Sequence, residues 1–108
     1  MTGSQAQITL KLSSPTVFPD LNEKEGKPAD YAREELQVSR LKFKHFKEMN
    51  NKPQDKQMIY AISELTGLSE NDIDELYAED AGEMTKTIIG FMKSFVDVAK
   101  DVMSPPKK

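Results

Sequence analysis

The chain has 108 residues, of which 37% are apolar, 31% charged and 7% aromatic, with no cysteine, one histidine and a formal charge of -3. That length supports one domain with a small core, and the composition excludes disulfides, zinc ribbons, thiol nucleophiles and multi-histidine metal sites. No apolar run approaches the ~20 residues of a membrane span, and Met1-Thr2-Gly3-Ser4-Gln5 lacks the basic-then-apolar order of a signal peptide, so a cytoplasmic protein is expected.

Gln7-Ile8-Thr9-Leu10-Lys11-Leu12 alternates apolar and polar residues and predicts a strand over about 6–13 with one wet face, stopped by Ser13-Ser14-Pro15. Residues 16–33 are rich in Pro, Gly, Asn and charge and show no period; they read as a long mobile loop around Gly26-Lys27-Pro28, anchored by Val17, Phe18 and Tyr31. Alternation returns at Leu36 and Val38, giving an antiparallel partner strand over about 34–42.

Beyond Leu41 the period becomes helical. Phe43, Phe46 and Met49 mark a short helix over 43–50. Met58, Ile59, Ile62 and Leu65 mark a second over 55–66, with Asp55 as its cap and Gly67 as the left-handed residue that ends it. Ser69 opens a third over 70–78 with Ile73 and Leu76 inward, and Asp80 caps a fourth over 81–102. Ser104-Pro105-Pro106-Lys107-Lys108 is expected to be a disordered tail. The fold class is therefore α+β: a two-stranded antiparallel hairpin followed by three or four helices, the last one long. The expected core is Ile8, Leu10, Leu36, Val38, Phe43, Phe46, Ile59, Ile62, Leu65, Ile73, Leu76, Ile88, Phe91 and Phe95.

On the last helix, Met84, Ile88, Phe91, Phe95, Val98 and Val102 form one apolar stripe, and Ile89, Met92, Val96, Ala99 and Met103 a second beside it. Together they cover about 180°, whereas a helix on one small core needs an arc of about 100°. The surplus implies a second surface, either the neighbouring short helices or another protein, and the six methionines favour an adaptable one. The residues expected to bind a partner are Ile89, Met92, Val96 and Met103, with Leu68 contributing.

Charge is polarised, +2 over residues 1–56 and -5 over 57–108. Asp72, Asp74 and Glu83 match three places of a calcium-loop spacing, but Leu76 and Tyr77 occupy places that need an oxygen ligand and a glycine. These acids read instead as a solvated face at a helix start. No glycine-rich phosphate loop or paired-carboxylate pocket is present, and His45 reads as a partly exposed residue near a helix start, so no catalysis and no cofactor are expected. A helix-turn-helix about Gly67 would carry Glu70, Asp72, Asp74, Glu75 and Glu79 toward phosphates, an unfavourable arrangement. The basic segment Arg40, Lys42, Lys44 and Lys47 leaves a small nucleic-acid-binding regulator as the alternative.

The run from Ile62 through Thr66-Gly67-Leu68-Ser69 and Asp72-Ile73-Asp74-Glu75-Leu76 to Ala81, with Gly90-Phe91 later, resembles the small tail assembly chaperones of tailed bacteriophages and of Mu-like and P2-like prophages. The likeness covers most of the chain and is most specific over residues 58–95. It implies a non-enzymatic chaperone in the cytoplasm of the bacterial host, absent from the mature virion. By the same resemblance it would bind the tape measure protein and help recruit tail tube protein; self-association through Ile89, Met92, Val96 and Met103 is expected beside client binding.

Overall fold

The computed structural model describes residues 7–103, with side chains through Asp97; the first position of the expected strand and the 104–108 tail lie outside it. Its architecture is α+β. Strands β1 (Gln7–Val17) and β2 (Ala32–Ser39) form a two-stranded antiparallel sheet. Gln7 through Lys11 pair one-for-one with Ser39 through Glu35, which puts Leu10, Leu36 and Val38 on the covered face. On the wet face the Thr9 hydroxyl donates to the Gln37 side chain at 3.2 Å. Ile8, expected inside, is 42% exposed at the outer end of the ribbon.

Between Lys11 and Thr16 the register shifts, so that Leu12–Pro15 stand opposite Glu34 alone. A bulge suits this run, because Pro15 has no N–H for a ladder. It sends the Leu12 side chain into the core and aims Ser13 at the last helix. Ser13-Ser14-Pro15 therefore bends the strand without ending it: pairing resumes at Thr16 with Arg33 and Val17 with Ala32.

The segment expected as a mobile loop, 16–33, is a packed connection. It contains helix α1 (Pro19–Lys24) and contributes Phe18, Leu21 and Asn22 to the interior. Pro19 and Asp20 open α1 as helix chemistry favours, but six residues are too few to show a period. Asn22 is fully buried and organises the return to β2. Its Nδ2 donates to the carbonyls of Ala29 and Tyr31 at 3.2 and 3.0 Å, and its Oδ1 accepts from Arg33 Nε and Nη2 at 3.2 and 3.0 Å.

Four helices follow: α2 (Phe43–Asn50), α3 (Gln54–Thr66), α4 (Glu70–Ile73) and α5 (Ala78–Met103). α3 starts directly after Pro53, so Asp55 lies in its first turn and does not cap it; Gly67 ends it at φ +85°. α4 is one turn only, capped by Ser69, whose Oγ accepts from Asp72 N–H at 3.1 Å. α5 begins three residues earlier than expected, which places Asp80 inside its first turn. The core joins Leu12, Phe18 and Leu21 from the front of the chain to Met49, Ala61, Ile62, Leu65, Leu68, Leu76, Met84 and Ile88 from the helices.

Two buried carboxylates stitch these halves together. Asp72 accepts from the backbone N–H groups of Asp20 and Leu21 at 3.1 and 2.8 Å, capping α1 from α4. In return the Ser69 hydroxyl donates to Asp20 Oδ2 at 2.6 Å. Asp80 accepts from Ser13 N–H at 2.9 Å and Ser13 Oγ at 3.0 Å, pinning the bulge to α5. Read from the sequence as a solvated acid and a helix cap, these two are 0% and 3% exposed. Asp72→Ala strands two buried N–H donors that had a charged acceptor, at a cost of about 3 kcal/mol of unfolding free energy by denaturant titration. A loss below about 1 kcal/mol would refute the clasp.

Candidate partner-binding face

At 1.5 Å per residue, the 26 residues of α5 extend about 39 Å. Its first stripe goes inward where the body is thick: Met84 and Ile88 are fully buried and Phe91 half-buried. Further along, Phe95 is 37% exposed and meets α2, its ring 4.7 Å from Phe46 and 5.6 Å from Phe43 between centroids. In the second stripe Met92 is half-buried against the core, whereas Ile89 and Val96 are 49% and 41% exposed. The side chains of Val98, Ala99, Val102 and Met103 lie outside the described residues.

Leu68 does not belong to this face. It is fully buried, because the left-handed turn at Gly67 redirects the chain inward and the Leu68 N–H closes onto Thr66 Oγ1 at 3.1 Å. A hydrophobic residue directly after a helix-ending glycine commonly packs back on the helix, so the pattern was available in the sequence.

Phe43 and Phe95, expected in the core, lie on the surface instead. Phe43 is 60% exposed and occupies the first position of α2, with Lys47 Nζ 5.7 Å from its ring centroid. Its neighbours Lys42 and Lys44 carried the signal, since a residue flanked by lysines at a helix start has little protein around it. Arg40, Lys42, Lys44 and Lys47 are all exposed. The open apolar surface thus runs from Phe43 through Phe95 to Val96, Met92 and Ile89, with lysines around it.

The other chemistries weighed from the sequence find less in the geometry. Asp72 and Asp80 have their oxygens on backbone and serine donors, and among the described residues no group of three or more acids and histidines is placed to hold a metal ion. The one-turn α4 is too short to lie in a groove as a recognition helix.

His45 differs from its expectation: it is buried, and its Nδ1 accepts from Lys42 N–H at 2.9 Å, closing the first turn of α2. Burial, then the nearby Lys44 ammonium, holds its pKa below the ordinary value of 6.5, with Glu64 acting in the opposite direction. No family model, curated protein or solved structure matches the chain.

A lowered histidine pKa means that the unfolded chain takes up its proton first on acidification. Stability is therefore full above about pH 6.5 and falls as pH drops from there toward the folded pKa. His45→Gln keeps a side-chain acceptor at the third helical position, as in a capping box, but does not titrate. We expect this variant to weaken the pH dependence of the denaturation midpoint just below pH 6.5. An unchanged slope would refute the assignment.

Proposed function

We propose that the chain is a non-enzymatic assembly chaperone that holds an apolar, helical client on the open flank of α5. The observation that carries this reading is the exposure of Ile89 and Val96, two turns apart on one side of a helix whose adjoining stripe is fully buried at Met84 and Ile88. Soluble proteins rarely leave a contiguous apolar stripe in water without a use for it, and a helix face of this kind recognises another helix through residues at i, i+3, i+4 and i+7. The resemblance of residues 58–95 to phage tail assembly chaperones supplies the client: a tape measure protein, with tail tube protein recruited as the tail is built. On this reading the protein works without a cofactor in the cytoplasm of the bacterial host and is absent from the mature virion. No described helix is long and apolar enough to cross a membrane.

Ile89→Lys with Val96→Lys touches only exposed positions, so folding should change by less than about 0.5 kcal/mol. Adding Met92→Lys extends the test to the half-buried member of the stripe. Co-expressed with a tape measure protein, the native chain should co-purify with it and the double variant should not. Undiminished co-purification by a folded double variant would overturn the reading.

One observation favours a second reading. Phe43 is an exposed ring beside Lys42, Lys44 and Lys47, as in a nucleic-acid-binding surface. A small nucleic-acid-binding regulator would be retained on DNA cellulose at about 0.15 M salt and released as salt rises. For a chaperone we expect passage without retention.

A further inference from the structure

The open face has a charge as well as a shape, and the charge restricts what can sit on it. Around α5, Ile89, Met92 and Val96 fall within an arc of about 60°, and Lys86 and Lys93 follow about 40–60° beyond Ile89 on the water side. At the other end of the patch, Lys47 lies against Phe43, and Lys44 is its sequence neighbour. Among the described residues, Lys44, Lys47 and Lys86 have no carboxylate within ion-pair distance. Lys93 meets only Asp97, at 3.4 Å, with both side chains more than half exposed. Such an exposed pair contributes little and can be exchanged.

Resting on the reading of α5 as a client-binding face, we propose that its occupant is an acidic amphipathic helix of the partner. The apolar side of that helix lies on Phe43, Met92, Phe95 and Val96, and its flanking carboxylates lie on Lys44, Lys47 and Lys93.

A second copy of the chain fits less well. A two-fold contact through the same face sets each lysine against the lysines of its mate, and like charges across an interface are repulsive. A single-stranded nucleic acid fits less well too. Stacking several bases needs several open aromatic faces, and this patch offers only Phe43: Ile89, Met92 and Val96 are aliphatic, and the Phe95 ring is packed by Phe43 and Phe46. An aliphatic stripe bordered by ammonium groups matches a helix with leucine-type residues at i, i+3, i+4 and i+7 and glutamates beside them.

The test uses the full chain and two labelled peptides of about 20 residues. Both carry leucine at i, i+3, i+4 and i+7; one has glutamate and the other lysine at the flanking positions. Fluorescence anisotropy at 0.1 M salt should show the acidic peptide binding at least tenfold tighter, and the preference should shrink severalfold at 0.5 M salt as screening shortens. The triple variant Lys44→Glu, Lys47→Glu, Lys93→Glu should reverse the preference while keeping native circular dichroism. Met92→Gln with Val96→Gln adds no charge and should weaken both peptides at least fivefold.

Equal binding of the two peptides, or a triple variant that binds like the native chain, overturns this inference. If the glutamine variant still weakens binding in that case, the apolar face itself stands. If the glutamine variant changes nothing, the client face fails as well. A dimer in sedimentation that dissociates on Val96→Gln, or oligothymidylate displacing the acidic peptide from the native chain, would equally overturn the acidic-helix assignment.

Discussion

Everything in the front half of this protein depends on the two buried carboxylates that reach it from the helical half. A two-stranded ribbon is marginal in water by itself, and a six-residue helix is far below the length that is stable alone. β1, β2 and α1 persist because they are docked, and the docking has both an apolar and a polar component. Phe18 and Leu21 fill the core beside Leu65 and Leu68, while Asp72 takes up the two N–H groups at the start of α1. Asp80 does the same for the bulge at Ser13. A carboxylate is costly to bury unless its oxygens are satisfied, and here backbone and hydroxyl donors satisfy them. Both acids also lie in the first turn of a helix, where the macrodipole favours negative charge.

That clasp dictates how α5 can be used. Its N-terminal half is held by Asp80, Met84 and Ile88, all inside, so the direction of the helix is set there. From Ile89 to Asp97 the cover is partial: Phe91 and Met92 still pack on the core and Phe95 meets the phenylalanines of α2, while Ile89 and Val96 are left exposed. The result is a helix fastened at its start and partly open from Ile89 to Asp97. A surface of this kind is rigid without being consumed by the fold, and a partner helix loses little by packing on it because one side is already ordered. The open segment sits next to lysines, while seven of the eighteen acids cluster between Glu70 and Glu83.

Much of this was legible in the order of residues. Alternation identified β1 and β2, three- and four-residue spacing identified α2, α3 and α5, and the glycine after Thr66 fell where a left-handed turn ends a helix. The width of the apolar arc on α5 was equally visible, since a helix of known period projects any sequence onto known angles. Period was silent for α1, too short to have one. It was also indifferent to Phe43 and Phe95, because whether a given turn of an apolar stripe is covered depends on where the neighbouring element stops.

The sequence by itself determined the elements with a repeating pattern, the absence of thiol chemistry and the surplus of apolar surface on the last helix, because these are properties of spacing and composition. Tertiary structure alone decided that Asp72 and Asp80 are internal ligands for backbone N–H groups, that Leu68 is core, and that the patch continues onto α2. Each of these depends on a contact between residues dozens of positions apart, such as Asp72 with Leu21 and Asp80 with Ser13. An isolated aspartate has the same pattern in the sequence whether it faces water or an orphaned amide; only the arrival of the other segment distinguishes the two.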